Sequence, residues 1–592
     1  MPHLGAVAVS AVIVVPIGKG THLTITAYGK SGAPVSNFIK PLRSFHDGGT
    51  DASLPECRIA VFLHPARERH MSPKNIGVLL ISAILALPLA SQAQTRVIDI
   101  DTTAIAGQLD PAFNFSIGAG RANEGLRADW QQQLAQIKRD AGFKYIRMHG
   151  LLSDDMAVYR VDAQGKEQYN FQYVDALYDY LLSIGVKPFV ELGFMPSQMA
   201  SGEKTVFWWR GNVTPPKDYA AWERLIKALT EHFTERYGAQ EVASWYFEVW
   251  NEPNLDGFWA ASQDAYFKLY SHAARAIKSV NASYKVGGPA TAGAAWIPEM
   301  IAYCASNAVP LDFVSTHTYG VDQGFLDEYG TTGTVLSKEK GAVSGDVLRN
   351  RKEIAASAMP KLELHYTEWS SSYTPSDPTH DSYHQAAYIL QKLKQVGGAA
   401  QSMSYWVFTD IFEEAGPRIE AFHGGFGLMN TQGIKKPAYF AYQFLNQLGP
   451  TALKNSDSQS FATTDERGNV QLLLWDYTRT LPEGVNNQQY FIKDLPSRDK
   501  GQAEVNMSGL KTGSYTMKIS TVGYKRNDAF TAYIGMGSPK QLGKSQVAAL
   551  KSLASGKPDE QKTVRVGADG RFTIKLPLRE NDVVLLELSR RK

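Results

Sequence analysis

The chain has 592 residues, 44% of them apolar and 20% charged, with a formal net charge of +3. That length predicts two or three domains, and the composition is that of a globular protein with a large buried core. Residues 1–93 hold 8 of the 61 Lys and Arg and 4 of the 58 Asp and Glu, so the remainder is near neutral at net −1, which excludes a nucleic-acid footprint.

In chain order, residues 1–70 show no sustained period. They read as a non-native or disordered extension, arising from an upstream start or a genuine N-terminal addition. Met71-Ser-Pro-Lys74 then opens an apolar run from Ile76 to Ala90, followed by Ser91-Gln-Ala93. A basic n-region, an apolar h-region and a small-x-small site predict a secretory signal over 71–93, cleaved after Ala93. The run is shorter than the about 20 residues of a membrane span. The expected mature protein is therefore exported, periplasmic or secreted, with no membrane segment. Past Ala93 only Cys304 remains of the 2 cysteines, so no intramolecular disulfide can form.

Residues 94–113 include Arg96–Ile100, a strand expected to join a C-terminal sheet domain. From 114 to 449, short apolar runs alternate with helical patterns. The runs are Phe113–Ala119, Tyr145–Gly150, Lys187–Gly193, Trp245–Trp250, Tyr284–Gly288, Asp312–Tyr319, Leu362–Trp369 and Met403–Thr409. Between them, Ala220–Tyr237 places Trp222, Leu225, Ile226, Leu229, Phe233 and Tyr237 on one helical face. Eight strand–helix units predict an α/β fold, a (β/α)8 TIM barrel. A doubly wound open sheet is the rival; the count of eight and the lack of a Gly-rich phosphate turn after the first strand weigh against it. Residues 450–592 read as a β-sandwich, with strands at Val470–Leu474, Tyr490–Ile492, Glu504–Met507, Ser514–Val522, Arg571–Leu576 and Val583–Leu588.

A barrel keeps its chemistry at the C-terminal ends of its strands. Six of the eight runs end in Arg147 and His149, Glu191 and Phe194, Asn251 and Glu252, His317 and Tyr319, Glu368, and Trp406, with Glu413 and Glu414 just beyond. Glu252 and Glu368 stand on the fourth and seventh strands and would face each other across the mouth. Glycoside hydrolysis needs such a pair, one carboxyl to protonate the leaving oxygen and one to attack or to activate water. The nucleophile should accept hydrogen bonds from neighbours such as Tyr319 or His317, and Asn251 could donate to a sugar 2-hydroxyl. No cluster has zinc-ligand spacing, and no metal or cofactor is expected. His380 and His384 read as surface or helix residues.

Trp250-Asn-Glu-Pro253, His365-Tyr-Thr-Glu-Trp369, Arg147-Met-His-Gly-Leu-Leu-Ser-Asp-Asp-Met156, Glu191-Leu-Gly-Phe-Met-Pro196, Ser315-Thr-His-Thr-Tyr319 and Phe422-His-Gly-Gly-Phe-Gly427 together resemble glycoside hydrolase family 39, in the clan of retaining barrel glycosidases. Ala532-Tyr-Ile-Gly-Met-Gly-Ser-Pro539 extends the resemblance into the sandwich. The resemblance implies a β-xylosidase, with Glu252 as acid/base and Glu368 as nucleophile. It implies that His149, Asn251, His317, Tyr319 and Glu414 bind xylose hydroxyls, and that Phe194 and Trp406 wall the sugar site. Glu413 is an alternative to Glu414. The expected partner is a small oligosaccharide. The family also holds α-L-iduronidases and enzymes for other sugars, such as arabinosidases or β-glucosidases; the near absence of rim cations apart from Arg147 favours xylose over iduronate. A non-catalytic carbohydrate-binding barrel is the reading from a different class.

Overall fold

The computed structural model describes residues 95–323 and 333–591; the expected extension and signal at 1–93 lie outside the described residues. All eight predicted runs carry a barrel strand. In order these are Ser116–Arg121, Tyr145–His149, Lys187–Leu192, Tyr246–Val249, Lys285–Thr291, Phe313–Tyr319, Glu363–Ser370 and Ser402–Tyr405. Each lies parallel to the next, and Tyr405 of the eighth pairs with Ile117 of the first, which closes the barrel. A closed parallel sheet is covered on both faces, by the barrel interior and by the helix ring. That is why the strands read as continuous apolar runs: every residue of Tyr246–Val249 and of Ser402–Tyr405 is buried.

The helix ring follows from local sequence. Asp218 accepts hydrogen bonds from the backbone N–H groups of Ala220 and Ala221 and so starts the helix Tyr219–Tyr237. Trp222, Leu225, Ile226, Leu229 and Phe233 are its buried stripe, as the periodicity predicts, while Tyr237 at its end is half-buried. Gly238, at φ 84°, ends it.

Aromatic rings plug the barrel below the mouth. Phe115 stacks on Tyr145 with centroids 4.7 Å apart, Phe189 stacks on Tyr246 at 5.1 Å, and His365 lies 4.9 Å from Tyr246. This filled layer gives the polar residues above it a dry floor.

Beside the barrel, seven antiparallel strands form one sheet: Ile105–Gln108, Thr451–Leu453, Ser460–Thr464, Val470–Trp475, Val583–Arg590, Gly513–Val522 and Glu560–Val566. A second sheet holds Arg96–Asp101, Asp499–Ser508 and Phe572–Arg579, with Arg96–Asp101 parallel to Asp499–Ser508. The segment preceding the barrel thus supplies one strand to each sheet. Leu472, Leu474, Leu586 and Leu588 face Ile98, Val505 and Leu576 in the core between the sheets. Leu473, Trp475, Val583 and Leu585 point the other way and join the barrel core.

One expectation is corrected and one narrowed. Tyr490–Ile492 is not a strand. The Asn486 side chain accepts from the Gln489 N–H and starts the helical turn Asn487–Tyr490, and Phe491 is buried beneath it. A three-residue apolar run does not distinguish the two. Of the surface-or-helix reading of His380 and His384, the helical half holds: His380 ends the short 3-10 helix Pro378–His380, His384 opens the helix His384–Val396, and both are buried. His380 is held between the Gly424 and Ser372 carbonyls, and His384 between the Ser382 and Thr480 hydroxyls.

Candidate active site

The fourth strand ends at Val249. The chain then turns sharply, with Trp250 at φ 74° and Glu252 at φ 45°, both unusual for bulky residues. The Glu252 N–H donates to the Ala290 carbonyl at 2.8 Å, which holds the turn. On the seventh strand a bulge does similar work. Thr316 pairs with Tyr366 while His317 pairs with Glu368, so Thr367 is the extra residue. The bulge lets two consecutive residues serve the barrel interior. Thr367 Oγ1 donates to Glu248 at 2.7 Å, and Glu368 reaches the mouth. On the sixth strand His317 and Tyr319 face the axis, whereas Thr316 bonds the Thr291 carbonyl and Thr318 bonds Asp346.

These groups open into a cavity of about 840 Å³. His149, Asn251, Glu252, Tyr319, Glu368, Trp406 and Glu414 line it, along with Phe207, Phe258 and Phe426. One oxygen of Glu252, one oxygen of Glu368 and a ring nitrogen of His317 all lie within 4.8 Å of one another. Retaining glycosidases separate their carboxyl groups by about 5–5.5 Å and inverting ones by about 6.5–9.5 Å, so this pair sits at the retaining end.

The two carboxyls have different surroundings. Glu368 accepts from Arg147 Nη1 at 2.5 Å and from Tyr319 Oη at 2.7 Å. Burial raises its pKa, while the Arg147 guanidinium pulls it down. Glu252 is pushed up to about 7 by burial, against His149 and Arg147. Its one close partner is His317 Nδ1 at 2.8 Å. Burial drops His317 to about 4, so a neutral imidazole shares a proton with Glu252. Two donors on Glu368, one of them cationic, make it the group that ionises first.

Arg147 organises the floor of the site. Its Nε donates to Glu248 at 2.7 Å and its Nη2 to Asn251 Oδ1 at 2.9 Å, with Glu191 also 2.9 Å from Nη2. Because Asn251 Oδ1 is taken, its NH2 is turned to donate elsewhere. His149 Nδ1 meets Glu191 at 2.6 Å; burial lowers its pKa, but Glu191 outweighs this and lifts it to about 10. His149 is therefore an imidazolium, with Nε2 3.5 Å from Glu414. Glu252, His317 and Glu368 are also the group with cation-binding spacing among the described residues. The Arg147 guanidinium already neutralises Glu368, so the trio reads as a proton-handling cluster.

The model for glycosyl hydrolases family 39 matches residues 96–573. The chain belongs to that family. A beta-xylosidase of Geobacillus stearothermophilus is 38% identical over 486 residues, 80% of this chain and 92% of that relative. A solved GH39 enzyme from Xanthomonas axonopodis pv. citri is 46% identical with a TM-score of 0.82, covering 85% of this chain and 100% of the other. A solved monomeric beta-xylosidase from Caulobacter crescentus CB15 is 47% identical with a TM-score of 0.81, covering 84% and 100%.

Within this family 39 barrel, most residues expected from sequence converge on one cavity, with three departures. Glu413 turns away and pairs with Arg121 and Arg127, both at 2.9 Å, so Glu414 alone of the two faces the cavity. Phe194 stands behind His149, packed on Trp250 with centroids 5.4 Å apart. His317 is wholly buried and lies closer to Glu252 than to Glu368, at 2.8 against 3.6 Å. Sequence reasoning missed Phe207, Phe258 and Phe426 as lining residues. Phe426 lay in a Gly-rich motif already noticed; Phe207 and Phe258 sit in loops between barrel elements and carried no such signal. The structural weight of Glu191 and Glu248 was also missed, although both end barrel strands.

Proposed function

We propose that this family 39 protein is a retaining, exo-acting β-xylosidase that releases xylose from short xylo-oligosaccharides by double displacement. The observation that carries the reading is the carboxyl pair within 4.8 Å at one cavity, with a proton-holding Glu252 and a charge-compensated Glu368. Glu368 attacks C1 of the xylosyl unit while Glu252 gives its proton to the departing oxygen. A covalent xylosyl-enzyme forms and the first product leaves. Glu252, now a carboxylate, takes a proton from water as that water attacks C1, which frees xylose and restores Glu368. Asn251 is turned to hydrogen-bond the 2-hydroxyl, a contact that tightens as C1 gains positive character.

Xylose is preferred on two grounds. Two of the similar proteins are beta-xylosidases. Among the described residues no Lys or Arg lines the cavity, while Glu252, Asp256, Glu368 and Glu414 do, which disfavours a sugar carboxylate. A panel of aryl glycosides tests this. Aryl β-xyloside should be turned over fastest, and no turnover of it above background sinks the proposal. Export is part of the same proposal, supported by the pattern at 71–93; sequencing the N-terminus of protein recovered outside the cytoplasm should begin at Gln94. A product that keeps residues 71–93 contradicts it.

A further inference from the structure

Phe426, in the loop Phe422-His-Gly-Gly-Phe-Gly427 after the eighth strand, lines the cavity, and a buried charge cluster lies beneath that loop. Lys436, at the head of the helix Pro437–Asn446, is fully buried. Its Nζ lies 2.6 Å from Asp381 and 2.6 Å from Asp410, and it donates to the Gly425 carbonyl at 2.8 Å. Each aspartate has a second task. Asp381 Oδ2 accepts the Gly424 N–H at 2.6 Å, and Asp410 Oδ1 accepts the Gly427 N–H at 2.7 Å. His380 Nδ1, 2.9 Å from the Gly424 carbonyl, holds the loop from a third side.

The glycines are what let the carboxylates come this close. A Cβ on Gly425 would sit 2.4 Å from Asp410 Oδ1, and one on Gly427 2.4 Å from the Asp410 nitrogen. At Gly424, with φ +78°, it would sit 2.5 Å from the Asp377 backbone. Backbone groups of residues 424, 425 and 427 are thus pinned by charges, and Phe426 between them has little freedom. Its ring packs 5.4 Å from Phe412 and 4.9 Å from His380, centroid to centroid, and it lines the cavity with Trp406. A buried ion cluster is a weak source of stability compared with apolar side chains of the same volume. Its use here is geometric.

We propose that Lys436, acting through Asp381 and Asp410, is a positioning residue that fixes Phe426 as a wall of the sugar cavity and so sets how closely the sugar ring is held. This rests on the cavity being the sugar site. Lys436 touches no substrate; its effect is carried by the loop.

The test is a double-mutant cycle on aryl β-xyloside with Phe426→Ala, Lys436→Met and the two combined. Each single change should lower kcat/KM by about tenfold or more, mainly through KM, because a wall displaced by about 1 Å misplaces the sugar. The combined variant should be little worse than either alone, since Lys436 has nothing left to position. Losses that multiply would overturn the proposal, because a merely structural Lys436 predicts them. A second readout needs no substrate. Amide hydrogen exchange across 422–427 should speed up in Lys436→Met while the helix Tyr219–Tyr237 keeps its protection; unchanged exchange in the loop also overturns the proposal. If Lys436→Met does not fold, Gly425→Ala breaks the same clamp and takes its place in both experiments. A wild-type protein that hydrolyses no glycoside would end the proposed function, and the exchange experiment would still decide the clamp.

Discussion

At the scale of single residues, the site depends on an asymmetry between two glutamates. Glu368 is surrounded by donors, and Glu252, pushed up to about 7 by burial, lies beside a neutral His317. The proposed mechanism needs Glu252 protonated and Glu368 ionised, so kcat/KM should be bell-shaped in pH. Its alkaline limb belongs to Glu252: the rate falls as pH rises through about 7 and the acid loses its proton. Tyr319→Phe removes a donor to the ionised form of Glu368, which raises that pKa. The acid limb should move to higher pH, and kcat/KM should fall about tenfold or more, the worth of a hydrogen bond to a charged group. An unmoved acid limb would show that Tyr319 does not stabilise the nucleophile. Glu252→Ala should lose about 10²–10⁴-fold on substrates with poor leaving groups and far less on activated aryl xylosides. Equal losses on both would contradict its role as acid. The two glutamates were legible in the sequence because Asn251-Glu252-Pro253 and Tyr366-Thr-Glu368 end predicted strands. Glu413 was not separable from Glu414, since neighbouring side chains diverge by an angle that only the fold sets. Here Arg121 and Arg127 draw Glu413 outward.

At the scale of elements, the barrel strands were readable for a simple reason. A strand covered on both faces must be apolar throughout, and eight such runs alternate with amphipathic helices. The seventh-strand bulge was not readable: nothing in Tyr366-Thr-Glu368 announces that Thr367 is unpaired, although the bulge brings Glu368 to the mouth. Short sandwich elements were also lost. Thr451–Leu453 is three residues long, and Glu560–Val566 is an edge strand with polar, exposed side chains. Helix caps can be measured directly. Asp218→Ala removes both cap hydrogen bonds of Tyr219–Tyr237 and should cost about 1 kcal/mol in denaturant unfolding with kcat/KM unchanged. A loss of activity without a loss of stability would mean that this helix reports to the site by another route.

At the scale of the molecule, the sandwich is not an appendage. Val470–Trp475 is buried on both faces because one face meets the second sheet and the other meets the barrel. A chain cut after Gly449 would expose Phe440, Phe444 and their neighbours, which share one core with Leu473, Trp475, Val583 and Leu585. That truncated barrel should aggregate, and residues 94–592 should unfold in one calorimetric transition. A soluble, active barrel would contradict the shared core. Above this scaffold, all the chemistry reduces to the distance between the acidic ends of the fourth and seventh strands. Proton NMR of the first xylose formed from aryl β-xyloside, recorded before mutarotation, tests that distance most directly. The β anomer is predicted to form first, by two inversions at C1; the α anomer forming first would mean one inversion, and would contradict a covalent role for Glu368.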